Sequence, residues 1–309
     1  MSTSHTTSDS VSDSVSVSVS ESHAASSSAS PILVTGGTGK TGRRVAALLE
    51  RHGLPVRIAS RSGPVRFDWA DESTWRPALT GVRGVYLVDS QTDRAAAEVR
   101  AFTMVAAELG VERIVLLSAR VWAEAGDPTG LATEAAVREA AADWTILRPS
   151  WFAQNFAEEP LIADAIGRGN LRLPTGEGRE PFVDAEDIAE VAVAALTGDG
   201  HAGETYELSG PRALTWGEAT AEIARATGRT IRFTPVDDER YRAELAASGS
   251  PDDYAEVTSA LYAHIRHGRG AALSDGVRRA LGREPSDFSD YAQRLAPGFA
   301  RHLAESADA

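Results

Sequence analysis

The segment Thr35-Gly36-Gly37-Thr38-Gly39-Lys40-Thr41-Gly42 constrains this chain more than any other, because it follows a short apolar run, Ile32 to Thr35, and opens a helical pattern. From Lys40 to His52 the apolar residues Val45, Leu48 and Leu49 share one helix face, and Val56 to Ala59 reads as a second strand. Strand, glycine turn, helix and strand make a βαβ unit. Gly36, Gly39 and Gly42 fall three apart, which permits a tight turn, close approach of backbone to a pyrophosphate, and close packing of helix on strand. The helix N-terminus offers free N–H groups and the positive end of its dipole to phosphate oxygens, with Thr38, Lys40 and Thr41 as neighbouring contacts. A nucleotide-triphosphate loop would need glycine at position 34 to accompany Gly39-Lys40-Thr41, and that position is Val34. The expected ligand is a dinucleotide.

The same alternation continues. Val85 to Val88, Ile114 to Leu117 and Trp144 to Leu147 read as buried strands, separated by helical patterns at about 93–109 and 131–142. After Arg148-Pro149 glycine and proline break the rhythm. The fold class expected is α/β: a Rossmann-like doubly wound parallel sheet over 31–150, with a smaller, mainly helical C-terminal substrate lobe over 151–309 interleaved with the sheet edge. Residues 1–30 hold fourteen serines and neither lysine nor arginine, so a disordered tail is expected there. Neither a secretory nor an organelle-targeting pattern is present, which leaves the cytoplasm as the expected location.

Composition narrows the chemistry. The net charge of −13 opposes a nucleic-acid partner, and no apolar run approaches the roughly 20 residues that cross a bilayer. With no cysteine there are no disulfides, thiolate nucleophiles or zinc-thiolate sites, so redox chemistry requires a bound cofactor. His264 and His267 stand three apart without a third ligand in reach, so no metal is expected. No Gly-x-Ser-x-Gly elbow supports a hydrolase. Lys40 is the only lysine in the chain, which removes any mechanism needing a lysine elsewhere.

Cofactor choice is read at the end of the second strand. A carboxylate there selects NAD, whereas this chain has Ser60 and Arg61, suited to the 2′-phosphate of NADP, and no acid before Asp68. NADP(H) is therefore expected over NAD(H), unless Arg61 merely solvates a loop. Asp68 and Trp69 are placed near the adenine, Trp69 equally as a cap on the core. Asp89, Ser90 and Gln91 follow the strand ending at Val88, at the crevice where open parallel sheets bind ligands.

Four segments together are more particular: Val-Thr-Gly-Gly-Thr-Gly-Lys-Thr-Gly at 34–42, Ala-Ser-Arg-Ser at 59–62, Trp-Thr-Ile-Leu-Arg-Pro-Ser-Trp-Phe-Ala-Gln-Asn-Phe at 144–156, and Pro-Phe-Val-Asp-Ala-Glu-Asp-Ile-Ala at 181–189. The chain resembles, over about 31–236, the NmrA-like branch of the atypical short-chain dehydrogenase/reductases, including the NAD(P)H-dependent reductases of ergot alkaloid biosynthesis and NAD(P)H:quinone reductases. The resemblance implies a Rossmann-like domain, a small substrate lobe, and NADP(H) across the top of the sheet, with Pro149 beside it. One feature of the wider superfamily is missing, because a Tyr-x-x-x-Lys dyad cannot exist where the sole lysine has Gly36 four places before it.

Ser118, at the end of a strand where the family's serine lies, is either a contact to a substrate oxygen or the nicotinamide, or a plain strand-end serine. Glu134 falls near the place of the missing dyad, facing either the pocket or solvent. Trp151, Phe152, Asn155 and Phe156 are expected on a short helix, the aromatics as core or as a flat floor for a ring-shaped substrate, and Asn155 as the amide in need of a partner. Trp122, on an expected loop, and Tyr254 and Tyr262 are placed to close over the nicotinamide, and Asp184 to cap a helix. The expectation is an NADP(H)-dependent reductase of a small cyclic iminium, enone, quinone or ketone, in specialised metabolism, with a non-catalytic dinucleotide sensor or a cofactor-retaining isomerase or cyclase as the alternatives. The sequence leaves oligomeric state open.

Overall fold

The computed structural model describes Met1 and residues 30–307, with side chains described as far as 297. The serine-rich tail, apart from its two ends, lies outside the described residues. In chain order the elements are β1 (Ile32–Val34), α1 (Gly42–Arg51), β2 (Val56–Ser60), β3 (Val65–Arg66), α2 (Trp75–Leu79), β4 (Gly84–Leu87), α3 (Ala95–Glu108), β5 (Arg113–Leu117), α4 (Arg120–Ala125), α5 (Pro128–Arg138) and β6 (Asp143–Pro149). The chain leaves the sheet through α6 (Asn155–Glu158), α7 (Pro160–Gly167), β7 (Asn170–Leu173) and β8 (Arg179–Glu180). It returns through α8 (Ala185–Thr197) and β9 (Glu204–Leu208). It then runs through β10 (Leu214–Thr215), α9 (Trp216–Thr227), β11 (Arg232–Pro235), α10 (Asp238–Ala247), α11 (Asp252–Arg266), α12 (Gly276–Leu281) and α13 (Phe288–Ala307).

Ile32, Leu33 and Val34 have no solvent exposure, as a central strand covered by helices on both faces requires. The seven-stranded sheet has the order β3-β2-β1-β4-β5-β6-β9, and every pair in it is parallel. Strand order reverses between β1 and β4, so the loops leaving these two strands splay apart and open a crevice at the carboxyl edge. One face of the sheet packs under α1 and α8 and the other under α2, α3 and α5. The α/β, doubly wound Rossmann-like architecture is thus the one the sequence predicts.

Part of the stretch 151–309 is interleaved with the main sheet. Strand β9 pairs with β6 in the main sheet and α8 packs on α1, so residues 185–208 return to the first unit. The lobe has its own aromatic core of Phe156, Phe182, Trp216 and Phe288. It also carries two small sheets, β7 with β11 and β8 with β10. Asp184 caps α8, its carboxylate accepting the Glu186 N–H at 2.9 Å.

Local signals shift two expected boundaries. Helix α5 starts at Pro128 rather than 131 because Asp127 caps it, accepting the Gly130 N–H at 2.7 Å, and proline suits the first helical position. The stretch before it is not a loop but helix α4, closed by Gly126 at φ +67°. Trp122 therefore stands on a helix.

Candidate active site

The β1–α1 turn is shaped by two glycines. Gly36 has φ +59°, a left-handed conformation that costs other residues roughly 1–2 kcal/mol. At Gly42 an added Cβ would fall 2.3 Å from the Gly36 carbonyl oxygen, so the first turn of α1 closes onto the loop only because that atom is absent. Among the described residues, the N–H groups of Thr38, Lys40, Thr41 and Gly42 donate to no other group of the protein. Unpaired amides at a helix N-terminus form the donor set a pyrophosphate requires. Thr41 itself is buried, its side chain against the Tyr86 hydroxyl.

Beside the turn lies a cleft of about 450 Å³, to which Thr38, Ser60, Arg61, Asp68, Asp89 and Ser90 contribute. Arg61 is exposed and, among the described residues, pairs with no carboxylate. Trp69 covers the floor, its indole N–H donating to the Val88 carbonyl at 3.1 Å and its ring edge-on to Phe67 and Phe102. It is both cap of the core and wall of the cleft. Burial, followed by the nearby Glu98 charge, outweighs the hydrogen bond from the Gln91 N–H and raises the Asp89 carboxyl above its ordinary value. Gln91 has φ +55°, the one left-handed non-glycine residue among those described, and it leads into a second cleft.

That second cleft, of about 300 Å³, brings together Lys40, Ser118, Trp122, Pro149, Trp151 and Asn155, with Phe152 in the wall. Lys40 spans it as an ion pair with Glu159, 2.8 Å away. The Asn155 amide, half-buried, makes no side-chain hydrogen bond among the described residues, so its donors and acceptor are available to a ligand. Trp151 stacks on Tyr262, ring centroids 5.4 Å apart. Tyr262 is buried beneath it, and Tyr254 packs against the second lobe's core, so neither is a lid over the cleft.

Two expected site residues lie elsewhere. Phe156 is fully buried, 4.8 Å from Trp216 and 5.3 Å from Phe182 between ring centroids, and is core rather than substrate floor. Glu134 is neither solvated nor in the cleft. It has no exposure and accepts from Ser118 Oγ at 2.7 Å, from Arg148 at 2.8 and 2.6 Å, and from Arg138 at 2.9 Å. Burial alone would raise its pKa, but the hydrogen bonds from Arg148 and Ser118 overcome that and hold the carboxylate below its usual range. The Ser118 hydroxyl proton is thereby committed to Glu134, and the serine turns its lone pairs toward the cleft. Ser118 is an acceptor there.

Among the residues that line the same cleft without having been singled out as site residues are Arg120, Glu124, Glu180 and His264. The pair Arg120 and Glu124, four apart directly after a strand, carries a helical ion-pair spacing. Glu180 and His264 carry no local signal, since each is brought in by the long return of the second lobe.

The sequence profile described as NAD(P)H-binding matches residues 36–199. The oxidoreductase YesF of Bacillus subtilis is 38% identical over 271 residues, covering 85% of this chain and 94% of its own length. A (4-alkanoyl-5-oxo-2,5-dihydrofuran-3-yl)methyl phosphate reductase of Streptomyces griseus is 35% identical, covering 87% and 99%. Festuclavine dehydrogenase of Aspergillus fumigatus is 30% identical, covering 88% and 99%. In fold, the chain matches an NADPH-dependent quinone oxidoreductase from Escherichia coli with a TM-score of 0.72 at 23% identity, over 85% of this chain and 99% of the other. The chain therefore belongs to the NAD(P)H-binding family, among relatives that are oxidoreductases.

Proposed function

We propose that the protein is an NADPH-dependent reductase of a small cyclic substrate bearing an electron-poor double bond: an iminium, enone, quinone or ketone. The observation that carries this reading is that neighbouring segments of the chain line both clefts, Thr38 and Ser90 the one and Lys40 and Gln91 the other. One offers the free Arg61 guanidinium and the Ser60 hydroxyl to a 2′-phosphate. The other is walled by Trp122, Trp151 and Phe152, together with Gln91 and Lys40. Thr38, Gly39, Lys40 and Gly42 would hold the pyrophosphate, and Asp68, Trp69, Asp89 and Ser90 the adenosine half. Pro149 and Ser118 would border the nicotinamide, which supplies hydride when bound.

The chain's own contribution is orientation and electrostatics. The Ser118 oxygen, held by Glu134, accepts a hydrogen bond from a carboxamide or substrate N–H. Asn155 offers both donor and acceptor to the substrate, and the indoles exclude water from its ring. With no Tyr-x-x-x-Lys dyad, no tyrosine of depressed pKa takes part.

Calorimetric titration with NADPH, NADP⁺, NADH and NAD⁺ tests the first half of the reading. NADPH is expected to bind more tightly than NADH, and Arg61→Ala to remove that difference by a tenfold or larger loss confined to the phosphorylated forms. An NADPH-oxidation screen of enones, quinones, ketones and cyclic iminium salts tests the second. If no dinucleotide binds, or if none of these classes is reduced, the proposal is wrong.

A further inference from the structure

Resting on that reading, we infer that Glu180 is the proton donor of the reaction, and that its position selects substrates whose reduction leaves negative charge, enones and quinones, over iminium ions. Glu180 is 3% exposed, at the end of the short strand β8, and lines the same cleft as Ser118 and Asn155. Its single hydrogen bond among the described residues is a long one, from the Trp151 N–H to Oε1 at 3.3 Å. Oε2 is pressed against the backbone at Gly270, where a Cβ would stand 2.5 Å from it.

Among the described residues, no countercharge pairs with it. The other charged or titratable groups of the cleft are Arg120 and Glu124 on α4, His264 on α11, and Lys40 and Glu159, which pair with each other, while β10, which pairs with β8, contributes Leu214 and Thr215 only. Each Arg120 nitrogen has a partner other than Glu180: Nη1 the Ala272 carbonyl at 2.8 Å, Nη2 that of Gly270, and Nε Glu124 at 3.0 Å. His264 is hydrogen-bonded to the other oxygen of Glu124 at 2.9 Å. Burial therefore dominates over the Arg120 charge and pushes the Glu180 carboxyl up to about 8.

The alternative donors are worse placed. Ser118 gives its proton to Glu134, and Tyr254 is pushed up to about 12 by burial and the Glu159 charge. A neutral carboxylic acid in an apolar cleft suits one kind of reduction. When hydride adds to the β-carbon of an enone, the π pair moves to oxygen as an enolate. The Oε–H bond of Glu180 then breaks, its proton goes to the enolate, and the carboxylate left behind faces Arg120 until water reprotonates it. An iminium ion accepts hydride to give a neutral amine with no proton needed, and a neutral acid does nothing to hold its positive charge.

The test has two arms. In infrared difference spectra of wild type minus Glu180→Gln, without dinucleotide, a protonated carboxyl band is expected at pH 6.5, giving way to carboxylate with a midpoint near 8. In turnover with the best enone or quinone from the screen, kcat is expected to fall as pH rises through that midpoint. Glu180→Gln should lower kcat by about 10²–10⁴-fold and abolish the pH limb, with NADPH affinity unchanged. Glu180→Asp, which keeps the acid but retracts it, should recover part of the rate and retain the limb. Absence of the protonated band at pH 6.5, wild-type turnover in Glu180→Gln, or iminium salts reduced faster than enones would each overturn the inference. If nothing in the screen is reduced while the infrared titration behaves as stated, it is the reductase reading that has failed, taking the donor role with it.

Discussion

Glu134 takes four hydrogen bonds on a side chain with no solvent exposure, and three of those bonds come from arginines. Replacing it by alanine leaves Arg148 and Arg138 without their shared anion and lets Ser118 rotate. A buried pair broken on one side costs about 3–5 kcal/mol, so Glu134→Ala is expected to lose stability of that order in urea unfolding. Because the folded pKa of Glu134 is depressed, its stabilisation is present above the ordinary carboxylate range and is lost as pH falls through the folded value. Glu180 has the opposite sign. Its folded pKa stands near 8 against an ordinary 4.5, so the fold binds a proton the unfolded chain has released, and wild type loses stability as pH rises from 4.5 to about 8. Glu180→Gln should therefore melt close to wild type at pH 4.5 and well above it at pH 8, in scanning calorimetry without any ligand.

At the scale of single elements, end signals do much of the work. Helix α9 begins with a capping box, Thr215 accepting the Glu218 N–H at 3.0 Å and Glu218 accepting the Thr215 N–H at 2.9 Å. Thr215→Ala is expected to cost about 1 kcal/mol, read as a lowered denaturation midpoint with unchanged dinucleotide affinity. Gly42→Val acts differently, since a side chain there collides with the Gly36 carbonyl and forces the loop from α1. Its dinucleotide affinity should fall at least tenfold by calorimetry even where the protein remains folded. Elements whose signals are local, β1, α1, α3, β5 and the cap at Asp184, are legible in the sequence. Helix α4 is not, because its six residues are too few for periodicity to register.

In the whole molecule, the second lobe holds together around edge-on and tilted aromatic rings rather than around a large sheet. Phe156 touches Phe182, Trp216 and Phe288. Truncating it to alanine should cost about 3–5 kcal/mol in urea unfolding, and the loss of fit should reach the substrate cleft through Trp151, which packs edge-on to Trp216 at 5.5 Å. Across the cleft the two units are tied by Lys40 to Glu159 and by Arg44 to Glu158, at 2.8 and 2.7 Å. Among the described residues, no helix is long and apolar enough to cross a membrane.

What the sequence determined by itself is whatever depends on neighbours in the chain. Glycines spaced three apart between an apolar strand and an amphipathic helix dictate a turn with free amides. Ser60 and Arg61 follow β2 by covalent connection, and the absence of a second lysine excludes a dyad anywhere. The tertiary structure decided whatever depends on burial and on partners far apart in the chain. Glu134 became a clamped anion and Phe156 a core ring because segments 14 and 60 residues away, carrying Arg148 and Trp216, close over them. Glu180 became a neutral acid because the return of the second lobe removes its water while committing Arg120 to other acceptors. A carboxylate reads the same in any sequence, and its proton affinity is set by the dielectric and the charges that folding brings to it.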